Sequence, residues 1–287
     1  MPSTTRLFLP SPAQPGRALE RLQPVAAAHD DVRRYSRARR NVLPRADHVT
    51  AVSGGWAHQV VLASRGEVET VLWCPGERDH PELERTATAV AERAGRAFRI
   101  SERTLARIQP EAAAPALLSV VRLPRWEPTR VLTAAARLVL VADGIEYAGN
   151  LGTLVRTADA CAADALVLTN ATARVTHPKA FAASRGTVLT TPVLSYPTVA
   201  DARSALAAAG FTAYVADPAG ATPYRSAGLG RGATAVVVGS ESDGVDPAWR
   251  EGLTRVAIPM RGRADSLNVA ASAAVLLFEA RAVLDGS

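Results

Sequence analysis

The sequence predicts an α/β protein in which a C-terminal, mainly parallel sheet follows a small α/β N-terminal domain. Three observations carry this. From residue 137 onward, short continuous apolar runs recur, each the length of one strand buried on both faces. Helix-like stretches lie between most of them, the alternation a parallel sheet with covered faces requires. Before residue 124 the texture is different, with mixed strand and helix patterns in a shorter segment.

Taken in order, residues 1–30 are rich in proline, lack steady periodicity and read as a flexible basic arm. Residues 31–123 read as a small α/β unit. It opens on a basic stretch, residues 31–42 (DVRRYSRARRNV), suited to a short helix. Strands are expected at 68–74, 97–101 and 117–123, and a helix at 80–95 ended by Gly95. Residues 124–136 read as a linker or linker helix, because Pro124 and Pro128 break any longer element. Residues 137–287 form the catalytic-domain candidate, with strands expected at 137–145, 165–169, 188–196, 211–217, 233–239 and 255–260.

The 287 residues can bury a substantial core, and 48% hydrophobic with 21% charged residues is ordinary for a folded globular chain. The net charge is +6, and the first 50 residues hold nine arginines against four acids. That local excess suits an acidic partner such as RNA, with Arg37, Arg39 and Arg40 as candidate contacts; a solvated helix face is the competing reading. Lys179 is the single lysine. The preference for arginine suits bidentate phosphate contacts, but a compositional bias of the genome, which the high alanine and valine content also suggests, is the favoured reading. Cys74 and Cys161 fit neither a metal motif nor a disulfide framework, so no metal is expected. No charged leader precedes an apolar segment and no apolar run approaches about 18 residues, so a cytoplasmic protein without membrane insertion is expected.

Three loops follow apolar runs, where ligands of parallel sheets bind. In residues 143–160, Gly149 and Gly152 flank Asn150, and Arg156 lies six residues beyond it on a helix expected to start near Asn150. In residues 236–245, a buried strand runs into Gly239, Ser240 and Glu241, and Gly244 closes the turn. The spacing matches neither a phosphate loop nor a dinucleotide fingerprint. In residues 258–274, a basic loop with Arg261 and Arg263 leads to Ser266, an N-cap candidate for the alanine-rich helix that follows.

Together these loops resemble the SpoU (TrmH-like) family of SPOUT methyltransferases over residues 138–284, roughly half the chain. The matching signatures are Gly149-Asn-Leu-Gly with Arg156-Thr-Ala, then Gly239-Ser-Glu with Gly244, then Ile258-Pro-Met with Ser266-Leu-Asn-Val. Each is weak alone, and three in order make a specific match. Residues 183–193 (ASRGTVLTTPV) look most like members that methylate large-subunit ribosomal RNA and confer thiostrepton or avilamycin resistance. Glu146-Tyr-Ala148 before Gly149, and Ala270 after Asn268-Val, depart from the common pattern.

The resemblance implies a deep trefoil knot, against the general rule that chains do not knot. It also implies a homodimer with its active site at the subunit interface, and an N-terminal RNA-binding domain. The expected reaction is transfer of a methyl group from S-adenosylmethionine to a ribose 2′-hydroxyl of ribosomal RNA. By resemblance, Gly239, Ile258 and Leu267 hold the adenosine, with Thr169, Ser240, Glu241, Met260 and Ser266 beside it. Arg156 is placed at the ribose hydroxyl, with Asn150, Glu241, Ser266 and Asn268 orienting it or the RNA. Arg185 is a candidate phosphate contact. A transfer-RNA substrate and a non-catalytic RNA-binding protein of the same fold are the alternatives. A dinucleotide-dependent oxidoreductase shares only the alternating α/β texture.

Overall fold

The computed structural model describes residues 15–77, 80–220, 222–240 and 243–286. Residues 1–14 of the expected arm, and Glu241, therefore lie outside the described residues. The first half comprises α1 (Pro15–Glu20), β1 (Gln23–Pro24), α2 (Asp30–Arg39), β2 (Val49–Ser53), α3 (Gly55–Leu62), β3 (Glu67–Cys74), α4 (Pro81–Arg93), β4 (Arg96–Arg99), α5 (Glu102–Ile108) and β5 (Ala116–Arg122). The second comprises α6 (Pro128–Val131), β6 (Leu138–Asp143), α7 (Ala148–Ala160), β7 (Ala165–Thr169), α8 (Pro178–Ala183), β8 (Val193–Ser195), α9 (Val199–Ala208), β9 (Thr212–Ala216), β10 (Thr222–Pro223), β11 (Thr234–Val238), α10 (Pro247–Arg250), β12 (Thr254–Ala257) and α11 (Val269–Asp285).

The first sheet runs β1-β4-β3-β5-β2 and is mixed, with β5 antiparallel to both β2 and β3. The second runs β10-β12-β9-β11-β6-β7-β8 and every described pairing in it is parallel. Side chains of successive strand residues point to opposite faces. On one face Leu138, Leu140, Leu166, Leu168, Val236 and Val238 pack under α7 and α11. On the other, Val139, Val141, Val167, Val215 and Val237 pack under α9 and Trp249. Both faces of β6, β7 and β11 are dry, which is why these strands read as unbroken apolar runs rather than as alternation.

The 124–136 segment is not a bare linker. Trp126, Val131 and Leu132 pack into the second of these layers. The two halves also share one core, because Val61, Val68 and Val121 of the first join Phe181, Val188 and Leu189 of the second. That junction corrects the strand expected at 188–196. Residues Thr187–Leu189 form a 3-10 turn after Gly186 at φ +81°, and only Val193–Ser195 is strand. Pro192 carries no N–H for a ladder, and Val188 and Leu189 are apolar because they fill the seam. Elements β2, α3 and α5 carry no sequence signal, and neither do α1 and β1, which fall in the stretch expected as a flexible arm: β1 pairs with β4 and Leu19 of α1 is buried.

Much of the N-terminal positive charge is spent internally. Arg34 pairs with Asp47 and Glu69, each at 2.9 Å, and Arg122 adds a second cation on Glu69. Arg96 holds the buried Asp31 at 2.8 Å, and Thr70 Oγ1 donates to the same carboxylate at 2.7 Å. Arg39 pairs with Glu111, and Arg40 Nε donates to the Ser36 carbonyl at 3.3 Å. Among the candidate RNA contacts on α2, Arg37 is exposed on its last turn.

His58 of α3 is fully buried between the Gly54 carbonyl, 2.7 Å from Nδ1, and Ser119 Oγ, 2.8 Å from Nε2. Burial pushes its pKa from 6.5 down to about 4. The folded state thus holds His58 neutral while the unfolded chain takes up a proton below pH 6.5. Its contribution is complete above pH 6.5 and disappears as pH falls towards 4, about 3 kcal/mol in all. Urea midpoints measured across that window should fall with pH, less steeply in His58→Gln; equal slopes for the two proteins would contradict this. No described helix is long and apolar enough to cross a membrane, and no described group of three or more His, Cys, Asp or Glu could hold a metal.

Candidate active site

The carboxyl ends of β9, β11 and β12 form the rim of a cavity of about 320 Å³. Gly239, Ser240, Ile258, Met260, Ser266 and Leu267 all line it. Six of the eight residues expected around the adenosine thus converge from two separate loops, those after β11 and β12. The lining mixes apolar surface from Val238, Ile258, Met260 and Leu267 with serines and carboxylates.

The loop after β11 is closed on itself. Ser240 N donates to Gly244 O at 3.1 Å and Gly244 N donates back to Ser240 O at 3.1 Å, while Asp243 N donates to Ser240 Oγ at 3.1 Å. Gly244 sits at φ +69°, and a Cβ on Gly239 would lie 2.1–2.3 Å from the Gly244 and Val245 backbone. Both glycines are dictated by this ring. The opposite wall is the irregular 258–268 segment, in which Leu267 is 37% exposed. Asn268, not Ser266, caps α11: its Oδ1 accepts from Ala270 N at 2.9 Å. Ser266 instead remains in the cavity wall, which corrects its reading as a cap.

Thr169 is corrected as well. It is 1% exposed, and its Oγ1 donates to Asp143 Oδ1 at 2.8 Å and accepts from Trp249 Nε1 at 3.2 Å. Asp143 also accepts from Asn170 Nδ2 at 2.9 Å and Asp246 N at 2.7 Å. This buried hub ties the ends of β6 and β7 to the segment after Gly244, so Thr169 braces the site rather than lining it. Asp217 was not foreseen. It directly follows β9, lines the cavity with a side chain only 10% exposed, and faces Arg255 at 3.4 Å and Arg250 at 3.9 Å. Its signal was its place directly after an apolar run, but choosing it required knowing that β9 lies between β11 and β12.

Helix α7 begins on the same sheet edge, and a side chain at Gly144, just before it, would come within 3.8 Å of Ser240. Asn150 is half-buried in the first turn of α7; Arg156 is exposed, with no hydrogen bond or ion pair among the described residues. Neither lines the cavity. The two glycines of the motif differ in purpose. A Cβ at Gly152 would meet Ala180 O at 2.4 Å and Ala183 Cβ at 2.7 Å, whereas one at Gly149 would meet nothing within 4 Å. Gly152 is thus set by the α7–α8 contact. Gly152→Ala should cost about 1–3 kcal/mol of stability through overpacking, and Gly149→Ala should leave the melting temperature no lower. Equal melting temperatures for both variants would contradict this. Arg185, expected on a phosphate, lies over the Trp56 ring at 3.9 Å and clamps the two halves.

Residues 137–278 match the model of the SpoU rRNA Methylase family. The chain is 36% identical over 151 residues to the 23S rRNA (guanosine(2553)-2'-O)-methyltransferase RlmP of Bacillus subtilis, a match covering 52% of this chain and 59% of that protein. It is 31% identical over 184 residues to the 23S rRNA (uridine(2479)-2'-O)-methyltransferase of Streptomyces viridochromogenes, covering 58% and 60%. The chain thus spans about three-fifths of the length of these curated relatives. The structure of AviRb from Streptomyces viridochromogenes in complex with the cofactor AdoMet is similar over 88% of this chain and 97% of that one, with a TM-score of 0.71 and 26% identity. An AdoMet-bound rRNA methyltransferase from Sinorhizobium meliloti shares the fold, with a TM-score of 0.76 and 22% identity over 90% of this chain and 97% of that one.

Proposed function

Residues 137–278 belong to the SpoU methylase family, and from that premise we propose that the protein methylates a ribose 2′-hydroxyl in large-subunit ribosomal RNA, using S-adenosylmethionine. The observation that carries this reading is the convergence of Gly239, Ser240, Ile258, Met260, Ser266 and Leu267 on one cavity at the carboxyl edge of the parallel sheet. At about 320 Å³ it lies in the size range of small-molecule sites. Its chemistry suits a nucleoside: apolar side chains for a purine face, with hydroxyls, carboxylates and loop backbone for polar groups.

S-adenosylmethionine supplies a methyl group on a positively charged sulfur, ready to pass to an oxygen nucleophile. The chain's task is then to hold the acceptor hydroxyl in line and to ease loss of its proton. Arg156 serves the second task as a permanent cation. It stabilises charge developing on the ribose oxygen or fixes the adjacent phosphate, while a different group takes the proton, because a guanidinium does not act as a base at neutral pH. Asn150 orients the same substrate from the start of α7, and Glu241, outside the described residues, keeps its proposed role through the motif.

We also propose the family's paired assembly and trefoil knot. Tyr147 (68% exposed) before α7 and Phe278 (50%) on α11 are large apolar side chains left in solvent by one copy, on two helices that pack together. A second copy covering them would bring its own α7 towards the cavity, which Arg156 of one copy does not line. The knot is proposed from the family match over residues 137–278. Action in the cytoplasm, on ribosomes, follows from the same reading. Resistance to an avilamycin-type antibiotic is proposed from residues 183–193 and from likeness to the Streptomyces enzyme; expression in a sensitive host should raise the inhibitory concentration.

The test is methyl transfer from radiolabelled S-adenosylmethionine to total RNA, with ribosomal and transfer RNA then separated. Label in large-subunit RNA is expected. Label in transfer RNA alone would replace the substrate, and none in any RNA despite cofactor binding would leave a non-catalytic RNA-binding protein.

A further inference from the structure

A second cavity, of about 500 Å³, opens between the two halves beside the carboxyl ends of β7 and β8. Three arginines line it, Arg45 and Arg125 from the first half and connecting segment and Arg174 from the second, and no acid does among the described residues. Arg174 is fixed, with Nη1 donating to Leu43 O at 2.8 Å across the seam, while Arg45 and Arg125 are exposed and each donates one hydrogen bond to a backbone carbonyl, Thr172 O at 3.4 Å and Ala46 O at 2.5 Å. Burial, then the nearby Arg125, holds the pKa of the lining His48 below its ordinary value, so no neutralising carboxylate is implied there. Trp126 and Tyr196 contribute aromatic surface to the same wall. The Tyr196 hydroxyl itself is buried away from solvent, and Tyr196 packs against the core, so only its ring contributes to the wall.

Positive charge and aromatic faces in one cleft describe a site for a nucleotide unit of a single strand: phosphate on arginine, base on an aromatic ring. We propose that this cleft binds a single-stranded stretch of the RNA substrate, with phosphates on Arg45, Arg125 and Arg174 and a base against Trp126 and Tyr196. The inference rests on the reading of the protein as an RNA methyltransferase and adds where the RNA lies. Both cavities open on the same edge of one sheet, three to four strands apart, roughly 15–20 Å at about 4.8 Å per strand. The first turn of α7, with Asn150, starts from β6 between them. A strand held in the cleft therefore crosses α7 a few nucleotides before the cofactor cavity.

The test measures binding of a fluorescently labelled oligouridylate by the full-length protein and by the double variant Arg45→Glu/Arg125→Glu, with S-adenosylmethionine affinity and melting temperature recorded alongside. Each arginine gives up only one solvent-exposed hydrogen bond to a backbone carbonyl, so the fold should persist, which the melting temperature reads. RNA affinity should drop on the order of tenfold, and the salt dependence should flatten by about 1.4 log units per log unit of salt, two phosphates' worth. Cofactor affinity should not change. Unchanged affinity and salt slope in the double variant would overturn the proposal, as would uridine monophosphate binding as tightly as the oligonucleotide, which would mark a small-molecule site. If the wild type methylates ribosomal RNA while the variant binds normally, only the cleft fails. If the variant loses RNA binding but the wild type methylates no RNA, the methyltransferase reading fails and the cleft stands.

Discussion

Arg156→Ala should lower turnover by roughly 10²–10³-fold, the cost of removing one preorganised donor from a developing oxyanion. The fold and the affinity for S-adenosylmethionine should be unaffected. Arg156 is exposed on α7 and makes no hydrogen bond or ion pair among the described residues, so its removal disturbs no packing. It also does not line the 320 Å³ cavity, so the cofactor loses no contact with it within one copy. What remains for it is the acceptor. Arg156→Lys should recover part of the rate, because the charge returns without the planar fork. Near-normal turnover in the alanine variant, with cofactor bound, would remove Arg156 from the reaction.

Gly239→Ala should have the opposite signature, weakening cofactor binding rather than chemistry. The added Cβ would lie 2.1–2.3 Å from the backbone of Gly244 and Val245, and backbone cannot swing aside as a side-chain tip does. The Ser240–Gly244 ring must open, displacing the cavity wall. Overpacking of this kind costs about 1–3 kcal/mol, and at about 1.4 kcal/mol per decade that is roughly a 10–100-fold loss of affinity. Calorimetric titration with S-adenosylmethionine reads it directly. Leu267→Ala, which trims an exposed wall residue, should lose less. Equal affinities for Gly239→Ala and wild type would show that this loop does not shape the cofactor site.

The contrast between the two halves shows what local sequence can carry. Strands β6, β7 and β11 are dry on both faces, so their apolar runs survive in the sequence to within a residue or two. Residues 188–196 look the same locally, but Val188 and Leu189 are apolar for the seam between halves, and no local pattern distinguishes a strand from a buried turn. Arg185 has the composition of a phosphate ligand and the position of a clamp, because Trp56 meets it from a segment far away in sequence. Thr169 stood at the right strand end, yet Asp143 and Trp249 claim its hydroxyl.

The site was legible for a different reason. Gly239, Ser240, Ile258, Met260, Ser266 and Leu267 were located by motif resemblance, and the parallel order β12-β9-β11 is what makes two separate loops share one wall. Asp217 belongs to that wall through the same order and carries no motif of its own. The N-terminal basic stretch had the least specific meaning in sequence. Its arginines divide between internal pairs on Asp47, Glu69 and Glu111 and exposed positions such as Arg37, and only the fold separates the two.

The central claim, methyl transfer to a ribose 2′-hydroxyl, is tested most directly on the RNA itself. Large-subunit ribosomal RNA incubated with the protein and S-adenosylmethionine is cleaved with alkali, which requires a free 2′-hydroxyl, and the fragments are mapped. Protection of one phosphodiester, dependent on cofactor and lost with Arg156→Ala, is the predicted result. Methyl incorporation with every phosphodiester still cleaved would place the methyl on a base and contradict the account.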